Sequence, residues 1–166
     1  MELIESFQVD HTRLERGLYI SRVDHACPGG AVCVTTFDLR LCKPYHDRQL
    51  DVRAIHTIEH LGATFLRTHS YYADKIIYFG PMGCQTGFYL LVAGEPSVHE
   101  ISGTVKEMCK WIAAYEGPIP GATELECGNA SMHDLTEARR VAHQYFNEVL
   151  CNLDENNTIY PTIKEK

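Results

Sequence analysis

No run of apolar residues in this chain approaches the roughly 20 needed to cross a bilayer, so no membrane span is expected. A basic excess is lacking too: 15 basic residues face 22 acidic ones, for a formal charge of −7. That balance argues against nucleic acid and anionic membranes as partners, since both call for a cationic surface. The first residues, Met1-Glu2-Leu3-Ile4-Glu5-Ser6, are charged and lack the apolar stretch of an export signal. There is no disulfide framework either. The seven cysteines are Cys27, Cys33, Cys42, Cys84, Cys109, Cys127 and Cys151, an odd number without regular spacing. In a chain without an export signal they read as reduced cytoplasmic thiols, most of them small buried hydrophobes. Internal repeats, low-complexity tracts and linkers are absent.

What is there fits one ordinary domain spanning residues 1–166. Of these residues, 45% are hydrophobic and 22% charged, enough to bury a core without staples. Strands are expected over residues 16–23 and 31–41, the second following the Pro28-Gly29-Gly30 turn signal. In that second strand Cys33, Thr35, Phe37, Leu39 and Leu41 face one way, Asp38 and Arg40 the other. A solvated face is the plain reading of Arg40. Asp51 offers an N-cap for a helix to about Thr68, with Ile55, Ile58, Gly62, Phe65 and Leu66 as its packed stripe. A strand pair follows over 75–79 and 84–93, joined by Gly80-Pro81-Met82-Gly83, so that Cys84 begins a strand at a tight bend.

Two further helices carry clear start signals. Ser97 and Glu100 form a capping box, and Val98, Ile101, Val105, Met108 and Ile112 keep a helical stripe until Gly117-Pro118. Asp134 and Glu137 start the last helix, whose buried side is Leu135, Ala138, Ala142, Tyr145 and Val149. The tail after Asn152 is polar and expected to be loose. The fold class is therefore α+β: a mainly antiparallel sheet with helices packed on one face, since strand–helix–strand crossovers are few.

The chemistry centres on His56-Thr57-Ile58-Glu59-His60. Two histidines four residues apart share one helix face, so both imidazoles reach one metal ion. Glu59 lies on the same side, where its carboxylate can serve as acid or base. A catalytic metal site usually has three protein ligands and one open position. His11, His69, Cys127, His133 and Glu126 are candidates for the third ligand, of which His69 is too far along the helix. Cys127 sits in the polar, glycine-terminated loop Glu124-Leu125-Glu126-Cys127-Gly128-Asn129, where a thiolate approaches an ion unhindered; a loop cysteine without a role is the plain alternative. Cys84, flanked by Pro81 and Gly83, is either exposed in a cleft and available for thiolate chemistry or simply a buried strand cysteine.

These pieces together resemble the S-ribosylhomocysteine lyase (LuxS) family along roughly residues 3–150. The resemblance rests on Glu5-Ser6-Phe7 with Asp10-His11-Thr12, on Asp38-Leu39-Arg40, and on His56-Thr57-Ile58-Glu59-His60-Leu61. It continues through Pro81-Met82-Gly83-Cys84-Gln85-Thr86-Gly87-Phe88-Tyr89 and Cys127-Gly128-Asn129. It implies that His56, His60 and Cys127 bind a divalent metal, Fe2+ in the cell with Zn2+ or Co2+ also able to occupy the site. It implies that Cys84 and Glu59 are the acid–base pair and that Ser6, His11 and Arg40 line a sugar pocket. It further implies a cytoplasmic homodimer with the pocket near the subunit interface. The implied reaction splits S-ribosylhomocysteine into homocysteine and 4,5-dihydroxypentane-2,3-dione, the precursor of the quorum-sensing signal autoinducer-2. One position departs from the pattern: Tyr78 stands where the family has an aspartate, three residues before Pro81, associated with the amino-acid end of the substrate.

Two other readings use the same residues. H-x-x-E-H with Glu59 as water base also describes inverted-motif metallopeptidases, which take a downstream acidic ligand; Glu126, the neighbour of Cys127, is the residue such a reading would choose. A non-catalytic metal or thiol sensor would need the ligands but neither Glu59 nor a sugar pocket.

Overall fold

The computed structural model describes residues 8–30, 32–68 and 70–163. Ser6, Ala31 and His69 lie outside the described residues. Four strands form one antiparallel sheet in the order β1-β2-β4-β3, with β1 at Gly17–Ala26, β2 at Val32–Arg40, β3 at Ile76–Pro81 and β4 at Gly87–Ala93. Among the described residues three α-helices, α1 (Val52–Thr68), α2 (Val98–Ala113) and α3 (Leu135–Glu148), supply the other layer. The α+β architecture, with a sheet whose strands all pair antiparallel and helices on one face, is the one the sequence leads one to expect.

Period-2 alternation sorts the strand residues onto two faces. Leu18, Leu39 and Phe88 are cross-strand neighbours on the helix side, and Phe37, Leu90 and Phe79 form the next row. All six are buried and share one core with Ile58, Leu61, Phe65, Ile101, Met108, Ile112 and Tyr145 from the helices. Fully burying one such side chain contributes about 1.5–3 kcal/mol, so this row carries much of the fold's stability. α1 docks closely on β3 because it has glycine at the contact. A Cβ on Gly62 would stand 2.4 Å from the Phe79 ring.

The caps form as expected. Asp51 accepts from the Arg53 amide at 2.8 Å, Ser97 and Glu100 make the reciprocal capping box, and Asp134 accepts from the Glu137 amide at 2.9 Å. These contacts satisfy helix-start amides that have no partner within the helix.

Three expectations are corrected. Cys84 does not begin a strand: β4 starts at Gly87, and Cys84 sits in the turn closed by the Gln85 amide donating to the Met82 carbonyl. Asp38 and Arg40 do lie on the sheet face away from the helices, but that face is covered there, leaving them 0% and 4% exposed. The cover is the tail. Instead of being loose, it bridges at Thr162 to Val9 and stacks Tyr160 on Tyr19 with ring centroids 4.7 Å apart. Val9, Leu14, Tyr19 and Tyr160 thus make a second, small core on the outer face.

Candidate functional site

The first turns of α1 and the 120–133 loop meet in a cluster of four potential ligands, His56, His60, Cys127 and His133. The Cys127 sulfur lies 3.4 Å from His56 Nε2 and 3.9 Å from His60 Nε2. A tetrahedral ion bound through S at about 2.3 Å and N at about 2.0–2.1 Å requires ligand separations of about 3.6 Å. His56 Nδ1 donates to the Met132 carbonyl at 2.9 Å and His60 Nδ1 to the Pro120 carbonyl at 2.8 Å. A carbonyl only accepts, so each ring carries its hydrogen on Nδ1 and leaves the Nε2 lone pair for an ion. The two rings stand edge to face at 88°, which lets their in-plane lone pairs converge. The Cys127 sulfur is the third potential donor, with the Asn129 amide directed at it at 3.4 Å. Gly121, at φ +68°, lets the loop close on this group: a side chain there would lie 3.4 Å from His60 Nδ1. These donors fit a divalent transition-metal ion with one open position.

His133 belongs to the cluster in another way. Its ring lies nearly parallel over His56, at 16° with centroids 4.1 Å apart. Parallel planes do not meet at one ion, so His133 walls the site and steadies His56. The Thr57 hydroxyl donates to the Arg53 carbonyl and accepts from the Asp134 amide. Its remaining lone pair receives His133 Nδ1–H at 3.2 Å. Burial and the neighbouring imidazoles push His133 below the usual histidine range, keeping it neutral. Its Nε2 is buried without a partner among the described residues. A hydroxyl entering the site finds an acceptor there.

Glu59 is half-buried on α1 and makes no hydrogen bond or ion pair among the described residues. Glu126, the acid that a peptidase reading needs, instead accepts from the Thr123 hydroxyl at 2.7 Å and is absent from the ligand cluster.

A second cluster forms on the outer sheet face. Arg40 donates to Asp38 at 2.6 Å and to the Thr86 hydroxyl at 2.5 Å, and approaches the Cys84 sulfur at 3.9 Å. Because Arg40 only donates, Thr86 Oγ1 must accept from it. Its own hydrogen is then free to point at the Cys84 sulfur, 3.1 Å away. Cys84 itself is exposed, in a turn where Gln85 adopts a left-handed φ of 60°. Asp38 holds Arg40 charged, while burial pushes the Asp38 carboxyl up against the opposing pull of Arg40, Tyr160 and His11. His11 lies close by: its Nδ1 is 3.0 Å from the carbonyl of Val9, which packs in the small outer core with Tyr19 and the Asp38-bonded Tyr160. Tyr78, nearly half exposed, lays its hydroxyl over Gly80.

The structure thus gathers His56, His60 and Cys127 into one group, and Arg40 and Cys84 into another near His11. Among the described residues no contact joins the two groups within one chain, and Ser6 lies outside them. A cavity of about 700 Å3 between residues 41–51 and α3 is lined by none of these side chains. Sequence reasoning passed over Thr86, Asp38 and Tyr160. The first two were within reach, since Thr86 is two residues from Cys84 and Asp38 shares Arg40's strand face. Tyr160 had no local signal.

Similarity to known proteins now bears on this arrangement. A family model described as S-Ribosylhomocysteinase (LuxS) matches residues 4–156. The chain is 52% identical over 162 residues to an S-ribosylhomocysteine lyase of Desulfotalea psychrophila, covering 98% of this chain and 100% of that one. It is 45% identical over 162 residues to that of Phocaeicola vulgatus (98% and 99% covered) and 44% identical over 161 to that of Clostridium beijerinckii (97% and 99%). With the matching model covering nearly the whole chain, and relatives this close at full length, the protein belongs to the S-ribosylhomocysteinase (LuxS) family.

Proposed function

We propose that this protein cleaves S-ribosylhomocysteine to homocysteine and 4,5-dihydroxypentane-2,3-dione with the help of one divalent metal ion per subunit. Family membership makes it an S-ribosylhomocysteine lyase, a carbon–sulfur lyase. The observation that carries the metal dependence is the convergence of two oriented Nε2 lone pairs and the Cys127 sulfur.

The thioether sulfur of the substrate leaves readily only from a carbon β to a carbonyl. The carbonyl must therefore move along the sugar from carbon 1 to carbon 3 before the C–S bond breaks. Each migration is a pair of proton transfers. His56, His60 and Cys127 would hold the divalent ion, which would supply Lewis-acid polarisation of the carbonyl. Cys84 takes and returns the carbon-bound protons. Glu59 moves protons at the sugar oxygens and protonates the departing sulfur. General acid–base groups of this kind contribute typically ~10²–10⁴-fold each. Arg40, with His11 and Ser6, holds the sugar hydroxyls; the buried Asp38 fixes the direction in which Arg40 donates. His133 Nε2 accepts from a further hydroxyl. Fe2+ is the proposed cellular ion, and Zn2+ and Co2+ suit the same nitrogen and sulfur donors.

The working unit is a homodimer. Arg40 lies on the sheet face opposite the helices, whereas the metal cluster stands on α1 in the helical layer. Setting the Arg40–Cys84 cluster of one protomer against the His56–Cys127 cluster of its partner completes the site. The proposed location is the cytoplasm, in keeping with seven unpaired cysteines. No helix among the described residues is long and apolar enough to cross a membrane. The product is the autoinducer-2 precursor.

The test is thiol release from S-ribosylhomocysteine by Fe2+- or Co2+-loaded protein, followed with a chromogenic disulfide. Stoichiometric homocysteine supports the reading, and no release overturns it. An analogue lacking the amino group addresses Tyr78: a neutral phenol there predicts a smaller loss of efficiency than a carboxylate gives.

A further inference from the structure

We propose that His25, Cys33 and Glu95 form a second, peripheral site for a divalent transition-metal ion of the Zn2+ type. The three residues share nothing with the catalytic cluster. They sit where the end of the β1–β2 hairpin meets the chain leaving β4. His25 and Cys33 are direct cross-strand partners, so their side chains stand on the same sheet face. Glu95 is brought to them by its neighbour. The Gly94 amide donates to the Cys33 carbonyl at 2.8 Å, and the Thr35 hydroxyl donates to the Gly94 carbonyl at 2.7 Å. All three donors are thereby tied to the sheet backbone.

Their spacing is that of a shared ion. Glu95 Oε1 lies 3.2 Å from the Cys33 sulfur and 4.0 Å from His25 Nε2. The catalytic cluster shows 3.4 and 3.9 Å between its sulfur and its two nitrogens. Imidazole, thiolate and carboxylate together form a donor set for a borderline-soft ion, with the fourth position left to solvent. His25 and Glu95 are 57% and 60% exposed, so an ion reaches the site without any rearrangement of the core. Coordination exchanges the Cys33 thiol proton for the ion: Cys33–SH and M2+ give Cys33–S–M+ and one proton released to solvent. The ion would pin the hairpin end to the exit of β4.

The experiment is a titration of the reduced, metal-free full-length chain with Zn2+ or Co2+ alone. Metal retained after desalting and the thiolate-to-Co2+ charge-transfer band are read together. The intact chain should take up two ions, Cys33→Ser one, Cys127→Ser one, and the double variant none. Glu95→Gln should keep the first ion and bind the second at least about 10-fold more weakly. An ion count that Cys33→Ser leaves unchanged overturns the proposal. The catalytic reading is read separately, from whether Cys127→Ser loses an ion.

Discussion

The Tyr160 hydroxyl donates to Asp38 Oδ2 at 2.7 Å, joining residues 122 positions apart on the outer face of the sheet. Asp38 is the carboxylate that holds Arg40, and Arg40 reaches Thr86 and Cys84. The C-terminal tail is thus part of what positions the proposed catalytic thiol. Tyr160→Phe keeps the stack on Tyr19 and removes only the hydrogen bond. It should cost about 1–2 kcal/mol in chemical denaturation. It should also lower kcat while metal content stays unchanged. Wild-type stability and kcat in this variant would show that the tail merely rests on the sheet.

Asp38 and Arg40 are a buried pair, and breaking such a pair from one side strands a charge. Asp38→Ala should destabilise the fold by about 3–5 kcal/mol, read from urea unfolding. A loss under 1 kcal/mol would mean that Arg40 finds water or another acid once its partner is gone.

Metal removal has a measurable signature of its own. In the Cys33→Ser background, saturating Zn2+ should raise the unfolding free energy by about 2.7 kcal/mol at 100 times Kd. His56→Ala or Cys127→Ser in that background should abolish the increase. Persistence of the increase in both would place the ion elsewhere.

The N-terminal anchor of the tail is sensitive to acid. Asp10 is lowered to about 2, chiefly by hydrogen bonds from Thr12 and Arg13, and Arg13 also donates to the Thr162 carbonyl. A depressed carboxyl contributes stability that is full above its ordinary 3.8 and is lost as the pH falls through about 2. The gap in melting temperature between the intact chain and Asp10→Asn should be constant above pH 4 and close towards pH 2. A gap independent of pH across that window would exclude the ionised carboxylate as its source.

The helices were legible because their signals are local. The α1 stripe, the Ser97 capping box and the Asp134 cap need only neighbours three or four residues away. His56 and His60 were legible for the same reason, one helical turn fixing both on one face. Arg40 was misread because alternation along β2 tells which face a residue takes but not what covers that face. The cover, Tyr160, arrives from the far end of the chain within a polar segment that gives no packing signal. The turn at Cys84 was misplaced by three residues because a left-handed Gln85 extends the bend beyond the glycine and proline that announced it. The orientation of the proposed metal ligands was out of reach altogether. It depends on the Pro120 and Met132 carbonyls, and a backbone acceptor leaves no trace in residue type.

The measurement that bears most directly on a lyase site shared between two protomers is complementation between inactive variants. Cys84→Ala and Glu59→Gln would each be purified metal-loaded and assayed for thiol release from S-ribosylhomocysteine, alone and after co-expression. Each alone should fall by roughly 100-fold or more. The co-expressed pair should recover about a quarter of the intact enzyme's rate, since half the dimers are mixed and each mixed dimer carries one site with neither substitution. Absence of thiol release by the intact metal-loaded protein, or no recovery in the mixed dimers, would contradict this assembly.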